Sequence, residues 1–572
     1  MSFSQRSFRI LINLFLLLLV VAIGFYWLNN TLQHRQHEIG EWLSETVGYP
    51  VEIRRSSLTW SVLSPKLLLE DVEVLEQDRS DNLLSLESIQ LDLDLFASLW
   101  HRDISLDDIS LKGLKLTVIR NGAGQLSLKG VETKGDSTPV FAGVLVRAGI
   151  IDSFHLTDIT LNYIDQQQTF LSGRYRLNNG LVKHQGQRWN ADALVILPPS
   201  LGNKVGIMAS WNSQQQDNDW HWKIEADDLI ADNLSTYLHW QGVSLTRAQL
   251  DVNLRGQGHS EKLTELTIDL DLLDAKLQSQ SSAITNTVQI PSLKGQVQAI
   301  RQENGWSLEG KNVAVNIDNN IWPTTSFLYQ QQGDNIDASG GFFAISDLLS
   351  IALLSENTPE EIKQIQPTGD IEQFVINYSQ SKGLNSASIS LRDGGVLPWQ
   401  NYPGITGLTA DINWHKDNIK VALDSHNVNL YPQNGYESAL FFDSISGAFD
   451  FTQSEQQWQF QSQALRLWND DLSIELDGSI NQGHDEKIRN DLFIKLDDVM
   501  INQWKKYLPK DILRSNFKAW SANAFVDGKI THGEIKLKGD LAAFPYQLPA
   551  DKQQGSFDLN LQVEGVQLHY AP

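Results

Sequence analysis

Hydrophobic residues recur along the chain in three patterns, and each pattern predicts a different structural element. The first is an almost unbroken apolar run over residues 10–28, in which Asn13 is the one strongly polar residue. At about 1.5 Å per helical residue the run would reach roughly 28 Å, close to the ~30 Å hydrocarbon thickness of a bilayer. It therefore predicts a membrane-spanning helix, represented by Ile10, Leu14, Leu17, Val20, Ile23 and Trp27.

The flanks of this run predict its orientation. Arg6 and Arg9 precede it, so the positive-inside rule places the short amino terminus in the cytoplasm. Aromatic residues at the other end, Tyr26 and Trp27 among them, are typical of a membrane interface. A cleaved signal sequence would have a shorter apolar core and small residues at a cleavage site, so the run favours a retained anchor. A cleaved signal and a buried core helix are the alternatives.

The second pattern is a helical period over residues 31–48, carried by Leu32, Ile39 and Leu43 and ending at Gly48. It predicts a short amphipathic helix next to the membrane. Its polar side could hold a metal ion or could be a solvated face. The residues on that side are His34, His37, Glu38 and Glu41.

The third pattern is alternation of apolar and polar residues, which begins at Val51 and returns throughout the chain. This period of two predicts half-buried strands that build one hydrophobic face, and hence a mainly β protein. The clearest apolar positions are the candidates for lining that face. They are Ile89, Leu91, Leu93, Leu95, Leu114, Leu116, Leu266, Ile268, Leu270, Leu272, Leu492, Ile494 and Leu496.

A short signature recurs within the strands: Asp, Asn or Gly, then an aliphatic residue, any residue and a second aliphatic residue. Glycine-led strands at Gly295, Gly407 and Gly447 form a larger, degenerate unit. Such repetition predicts stacked meanders that grow in one direction. The signature begins at Asp71, Asp108, Asp158, Asn312, Asn427 and Gly565.

Three predicted helices, over residues 228–238, 344–366 and 499–524, interrupt the strands. They could be gates over the apolar face or covers that close local cores, and the second interpretation is favoured. The predicted segments are 1–30 (cytoplasmic tip and anchor), 31–48 (amphipathic helix), 49–226 (first β segment), 227–343 (second, opened by a short helix), 344–498 (helical insert and third β segment) and 499–572 (helical insert and a further β segment).

Composition narrows the possible functions. The 572 residues include 45 Lys and Arg against 69 Asp and Glu, a formal net charge of −24. Nucleic acid is excluded as a partner because its binding depends on neutralising phosphates with basic side chains. The chain has no cysteine, which excludes disulfides, thiolate metal sites and a cysteine nucleophile.

The sequence contains no recognisable catalytic constellation, so we expect a protein that is not an enzyme and has no cofactor or metal. Acidic pairs could serve glycosidic hydrolysis or calcium binding, but most of them lie at the turn-to-strand signature, where Asp is favoured for structural reasons. Trp211, Trp220 and Trp222 could form a sugar-stacking platform, although core packing is more usual. The acidic pairs are Asp107-Asp108, Asp227-Asp228, Asp470-Asp471 and Asp497-Asp498.

Two stretches resemble a known family. Residues 48–128, with Gly48-Tyr49-Pro50-Val51, Trp60, Pro65 and Gly124-Gln125-Leu126, resemble the start of AsmA-like inner-membrane proteins. From Trp504 onward the chain is similar to the YhdP branch of that family. The matching residues there are Tyr507-Leu508-Pro509, Trp520, Gly528-Lys529-Ile530, Gly539, Phe544-Pro545-Tyr546, Gly555-Ser556-Phe557 and Tyr570.

This resemblance implies a single-pass inner-membrane protein of a Gram-negative bacterium, with its amino terminus cytoplasmic and its bulk periplasmic. It implies an elongated, twisted antiparallel β-sheet groove of repeated meanders with a few inserted helices, which carries phospholipid towards the outer membrane. Members of this branch are longer, so we expect an amino-terminal piece. The part that meets the outer membrane or its proteins would then lie beyond it.

A lengthwise sheet suits this function because every second side chain points to the same side and can form an apolar track. If about thirty strands stack at ~4.8 Å each, the track would extend on the order of 140 Å. Alternation cannot by itself distinguish an open groove from closed sandwiches. A non-transporting scaffold for outer-membrane assembly and an acid-dependent hydrolase are therefore the alternatives to a lipid conduit.

Overall fold

The structure is a computed structural model. It describes residues 19, 23, 26, 36–47, 49–61, 64–76, 79, 81–94, 100, 106–129, 153–212, 218–234, 239–240, 242–260, 262–281, 283–400, 402–432, 436, 438–454, 457–483, 485, 487–507, 524–544, 546 and 553–569. Most of the predicted anchor, including Ile10, Leu14, Leu17, Val20 and Trp27, lies outside these residues. Ile23 is helical and exposed. Within the described part of the chain, no helix has the length and apolar character needed to cross a membrane.

The described residues are mainly β, with 30 strands and few helices, as the alternation predicted. The chain divides into two compact units: unit 1 comprises residues 1–234 and 248–271, and unit 2 comprises residues 235–247 and 272–572. Strands β13 (Val243–His259) and β14 (Lys262–Ser279) contribute residues to both units.

Unit 1 begins with helix α1 (Gln36–Val47), the described part of the predicted amphipathic helix. Leu43 of α1 packs against a buried core that includes Val51, Val72 and Leu84. The strands of this unit are β1 (Val51–Ser61), β2 (Ser64–Leu75), β3 (Asn82–Leu93), β4 (Leu106–Lys112), β5 (Lys115–Arg120), β6 (Leu126–Leu128), β7 (Ser153–Asp165), β8 (Gly173–Gln185), β9 (Arg188–Ile196), β10 (Lys204–Asn212) and β11 (Asp219–Ile230).

Strands β1 to β4 pair in antiparallel order, and β7 to β11 continue the ladder to β13. The exceptions to the antiparallel pattern in unit 1 are at β7, which pairs in parallel with both β4 and β5.

Unit 2 continues with an antiparallel ladder and two short helices, α2 (Ile345–Ala352) and α3 (Glu360–Ile365), inserted before β21. Its strands are β12 (His239–Trp240), β15 (Thr287–Gln302), β16 (Gly305–Ile317), β17 (Asn320–Ile321), β18 (Thr325–Gln332), β19 (Asn335–Gly340), β20 (Phe343–Ala344), β21 (Thr368–Ser379), β22 (Gly383–Val396), β23 (Gly404–His415), β24 (Asn418–Tyr431), β25 (Leu440–Ser454), β26 (Gln457–Asn469), β27 (Leu472–Gln482), β28 (Ile488–Met500), β29 (Phe525–Asp540) and β30 (Gly555–Leu568).

The predicted helix over residues 228–238 is wrong in its described part. Strand β11 continues to Ile230, where Leu229 and Ile230 still pair with β13, and a 3-10 turn over Ala231–Leu234 follows. The cause is Asp228, whose left-handed φ of 53° forms a bulge rather than a helix start, and whose amide donates to Asp251 Oδ1 at 2.7 Å. The helical insert at 344–366 is present as α2 and α3. Residues 508–523 of the third predicted helix lie outside the described residues.

The recurring sequence signature marks β-bulges. Five of its six first residues, Asp71, Asp158, Asn312, Asn427 and Gly565, have φ between 51° and 64°, whereas Asp108 does not have a left-handed φ. Asp, Asn and Gly accept this left-handed conformation most easily, and the extra residue that a bulge inserts shifts the alternation by one.

Strand β24 shows the consequence of this shift. Leu423 precedes the bulge at Asn427 and Val428 follows it, so the two residues differ in parity, yet both belong to the same hydrophobic core. The bulge therefore keeps apolar side chains on one face along the whole strand.

Candidate functional site

The strands of unit 1 align their apolar side chains into rows that run across the ladder. Directly paired residues in a β-ladder project from the same face, so the register between strands defines each row. One row consists of Leu58, Leu67, Leu91, Ile109, Phe154, Val182, Ala191, Ala209, Trp222 and Gly256. Its neighbour consists of Ser56, Leu69, Ile89, Leu111, Leu156, Gly180, Ala193, Ile207, Ile224 and Leu254. Neither row contains a charged residue.

Unit 2 carries a comparable pair of rows across β15, β16, β18, β19 and β21 to β30. We call them row 1 and row 2. Row 1 consists of Val297, Gly310, Phe327, Gly340, Phe374, Ile389, Ile412, Val421, Phe449, Ser462, Gly478, Leu492, Leu537 and Phe557. Row 2 consists of Ala299, Leu308, Tyr329, Ala338, Ile376, Ala387, Trp414, Ile419, Phe451, Phe460, Ile480, Asn490, Gly539 and Gly555.

The opposite face of the same strands is mainly polar, although Leu328 and Val375 lie on it. One row on this face contains His415 and lies next to row 2 along the strands. It has no apolar member between β16 and β29. It consists of Ser307, Gln330, Asp337, Asn377, Ser386, His415, Asn418, Thr452, Gln459, Asn481, Arg489 and Asp540. The sheet of unit 2 is thus divided into an apolar face and a polar face.

Many side chains of the apolar face stay partly exposed. Phe374, Ile389, Ile412 and Val421 are half-buried, and Trp414 is 39% exposed. The core between two closed sheets would bury such residues fully, whereas here full burial is concentrated beside the bulges, in the cluster around Val428. A partly exposed apolar stripe of this kind is typical of a binding surface.

Aromatic rings on this face lie over glycines of the neighbouring strand. A Cβ atom added to Gly310 would come within 2.2 Å of the Phe327 ring, and one added to Gly340 within 2.6 Å of Phe374. Gly256 has the same relation to Trp222, at 2.4 Å. Each ring therefore covers the exposed backbone of its glycine, which keeps the apolar row continuous where a side chain is missing.

Charges on the polar face are organised into cross-strand pairs. Arg466, Glu475, Lys495 and Glu534 are successive neighbours across β26 to β29. Lys495 Nζ and Arg466 Nε each lie 2.8 Å from a Glu475 carboxylate oxygen. These hydrogen bonds lower the pKa of Glu475, and the bond from Lys495 has the largest effect. Desolvation of the carboxylate acts in the opposite direction. The charges are thereby held on the face opposite the apolar rows.

The polar face of unit 1 also contains a cavity of about 630 Å³. Lys183, Lys223 and Arg255 line it together with Asp192 and Glu265. Leu181 and Met208 line it as well, together with Ala191, Ala209, Trp222 and Gly256 of the first apolar row, so the cavity offers both charged and apolar groups to a partner.

The predicted lining residues are placed as follows. Ile89, Leu91 and Leu492 belong to the rows given above, and Ile494 and Leu496 extend the same face of β28. Leu116 pairs with Leu84 and Leu161. Leu266, Ile268 and Leu270 alternate with Glu265 and Asp269, which bond to Gln257 and Arg255 and so mark the opposite face. Leu114 and Leu272 are buried. Leu93 is described only as strand backbone, and Leu95 lies outside the described residues.

The central members of row 1, such as Phe327, Phe374, Ile389 and Ile412, were not among the predicted lining residues. Their strands are interrupted by bulges or alternate an aromatic residue with polar neighbours, so no long period of two is visible. Gly310 and Phe327 could have indicated this row from the sequence. A glycine in an apolar position there lies opposite an aromatic residue on the neighbouring strand.

The candidate chemical groups are not assembled into a centre in the described residues. His37 and Glu41 form an exposed contact at 3.3 Å, and His34 lies outside the described part. Asp227 pairs with Lys204 at 3.2 Å and Asp497 contacts His532 at 2.9 Å, so these acids are engaged with separate partners. No group of three or more potential metal-ligating residues occurs within the described ranges. Trp211, at 37% exposure, stacks on Trp189 with ring centroids 6.0 Å apart.

Comparison with known proteins gives one match. The model of a protein family described as YhdP protein matches residues 1–572. No curated protein and no solved structure matches the chain.

Proposed function

Since the chain belongs to the YhdP family, we propose that it carries phospholipid acyl chains along the apolar face of its sheet. The supporting observation is that row 1 extends from Val297 to Phe557 without a charged residue, and that most of its members are aromatic or aliphatic. Such a surface can hold a hydrocarbon tail without any polar recognition.

The energetics of such a surface favour movement as well as binding. Each methylene removed from water contributes about 0.8 kcal/mol, so ten of them contribute about 8 kcal/mol. Successive strands, about 4.8 Å apart, offer the tail nearly the same surface, so a step along the row exchanges one set of apolar contacts for another. A tail would therefore be retained but not fixed at one strand.

The proposal extends to location and partners. We propose that residues 10–28 anchor the protein in the inner membrane of a Gram-negative bacterium, with the bulk of the chain in the periplasm. The phospholipid is the partner on the apolar face, and the outer membrane or its proteins are the destination. No catalytic step and no cofactor form part of this proposal.

In-cell photocrosslinking tests the proposal. A photoreactive amino acid at Ile389 or Ile412 lies in row 1, whereas Ser388 and Asn413 are exposed neighbours that project to the polar face. We expect phospholipid to be recovered by mass spectrometry from the first pair and not from the second. Equal recovery from both pairs, or recovery from neither, would contradict the proposal.

A non-transporting scaffold is the second candidate function, and the cavity on the polar face of unit 1 favours it. A crosslinker at Lys183 or Lys223, which line this cavity, would then capture protein. Protein adducts there combined with no lipid adduct in row 1 would favour the scaffold over the conduit.

A further inference from the structure

A third row lies next to row 2 on the apolar face of unit 2, and we call it row 3. It follows the hairpin edge, which is the end of the strands at which β15 turns into β16. Each member lies two residues from a member of row 2 or pairs directly with a residue that does, so it projects from the same face. Row 3 consists of Arg301 and Trp306, then Gln331, Ile336, Tyr378 and Leu384, and then Gln453, Trp458, Gln482 and Ile488.

Row 3 has the composition of a membrane interface rather than of a hydrocarbon surface. Its ten residues are two Trp, one Tyr, three Gln, one Arg and three aliphatic residues, so none of them carries a carboxylate. Trp and Tyr are enriched where hydrocarbon meets water, because each ring is mostly apolar and carries one hydrogen-bonding group. Acids lie instead in the polar row on the opposite face, at Asp337 and Asp540. Row 3 therefore suits an anionic group that is joined to hydrocarbon.

Arg301 places a positive charge on the apolar face itself. It pairs directly with Trp306, and its guanidinium carbon lies 5.8 Å from the centroid of the indole ring. The side chain is exposed, and no carboxylate in the described part of the chain forms an ion pair with it, not even that of Glu303 in the adjacent turn. A guanidinium that is held by an aromatic ring and is not neutralised by an acid can bind phosphate oxygens.

The spacing of the three rows matches the length of a lipid tail. Along β26, Trp458 lies in row 3, Phe460 in row 2 and Ser462 in row 1. At about 3.4 Å per residue, the four residues from row 3 to row 1 cover about 14 Å, which is close to half of the ~30 Å hydrocarbon thickness of a bilayer. A tail that starts at row 3 and follows a strand would therefore cover rows 2 and 1.

The two sides of these rows differ in their access to water. At the hairpin edge, Tyr378 is 39% exposed and Ile488 is 38% exposed. Beyond row 1, on the side of the bulges, Ala410 is 4% exposed and Val428 is fully buried. A hydrated headgroup can be accommodated at the hairpin edge but not beside the bulges, where the strands already pack into a core.

We propose that row 3 holds the glycerol and phosphate groups of a bound phospholipid, while its tails extend over rows 2 and 1 towards the bulges. Where the lipid lies on β15 and β16, Arg301 contacts the phosphate. This inference rests on the proposed function and adds an orientation to it, with every headgroup at the hairpin edge of unit 2. Arginine recognises the phosphate rather than the group attached to it, so lipids with different headgroups would be oriented alike.

Two photoreactive phospholipids test the orientation. One carries a diazirine on its headgroup and the other at the end of a tail, and each is loaded onto the full-length, detergent-solubilised protein before irradiation and peptide mass spectrometry. We expect headgroup adducts around Gln453 and Trp458, and tail-end adducts around Phe449 and Leu465 on the same two strands. The opposite placement, or adducts of both probes on the same residues, would overturn the inference and leave the acyl-chain surface intact. A protein that reacts with neither probe would overturn the proposed function as well.

The role of Arg301 is tested by competition between a phospholipid and a diacylglycerol with the same tails. A photoreactive amino acid at Leu308, beside Trp306 in row 2, captures either lipid, and mass spectrometry gives the ratio of the two adducts. We expect the phospholipid to be favoured about tenfold, the effect of one charge-assisted hydrogen bond, and Arg301→Gln to reduce the ratio several-fold. The control Arg489→Gln removes an arginine from the polar face and should leave the ratio unchanged.

A second capture position makes the competition local. At Phe460, which lies in row 2 ten strands along the ladder from Arg301, the ratio in Arg301→Gln should equal that in the wild type. An unchanged ratio at Leu308 in Arg301→Gln, with the thermal unfolding midpoint of the wild type, would overturn the contact between Arg301 and phosphate. An equal fall at Leu308 and Phe460 would also overturn it, because a local contact cannot change the ratio at a distant strand.

Discussion

A single carboxylate placed in row 1 should interrupt lipid movement. Ile389→Asp puts a charge directly between Phe374 and Ile412, its partners on the two adjacent strands. The matched control is Ser388→Asp, which puts the same charge on the exposed residue beside it, facing the polar side. The two variants have the same net charge and carry it on opposite faces of the sheet.

The expected magnitude follows from desolvation. A tail passing over the carboxylate introduced by Ile389→Asp would have to displace water from it, and the effective penalty for a buried ion in proteins is several kcal/mol. With about 3 kcal/mol added to the barrier, and a factor of about ten for each 1.36 kcal/mol, transfer should slow by about two orders of magnitude. The cost to folding is smaller, about 1 kcal/mol, because Ile389 is only half-buried.

The assay places photocrosslinkers on either side of the block, at Phe327 and at Phe557 in the same row. In Ile389→Asp, lipid labelling should persist at the position nearer the lipid source and be lost at the other. In Ser388→Asp, both positions should be labelled as in the wild type. Equal labelling at both positions in Ile389→Asp, with a thermal midpoint matching that of the control, would refute the idea that lipid follows row 1.

Three further predictions concern stability. Burial raises the pKa of Tyr507 to about 12, so the stability it contributes should be intact below pH 10 and lost between about 10 and 12; phenolate absorbance should show a late-titrating tyrosine that Tyr507→Phe removes. The pKa of Glu475 is lowered, so the stability that its carboxylate contributes is present above the ordinary pKa of 4.5 and is lost as the pH falls below it. Glu475→Gln should therefore weaken the decrease of the thermal unfolding midpoint with falling pH across that range. The same decrease in the variant as in the wild type would contradict this. Gly407→Ala should destabilise the protein by more than the roughly 1–2 kcal/mol typical of left-handed strain, because the added Cβ would lie 2.7 Å from the Asn427 carbonyl oxygen. Asn427→Gly should leave the stability nearly unchanged in the same thermal unfolding measurement.

The sequence was informative where a strand has no bulge. Leu492, Ile494 and Leu496 alternate without interruption in β28, and the structure places all three on the apolar face. Near Asn427 the alternation shifts, so period alone assigns Leu423 and Val428 to opposite sides although they share one core. The recurring signature was visible in the sequence, but its role as a bulge depends on backbone dihedral angles.

The rows could not be predicted because they depend on register between strands. Ile389 and Ile412 are partners only because β22 and β23 pair with a particular offset, which includes the irregularity beside Gly394.

The antiparallel ladder of unit 2 has a consequence for how such a protein can change in size. Each complete hairpin, for example β23 with β24, adds one residue per strand to every row and returns the chain to the side from which it started. Duplicating or deleting a whole hairpin would therefore lengthen or shorten the apolar rows in fixed increments without disturbing the registers on either side. Evolution could in this way change the length of the apolar face with no need to redesign its surface.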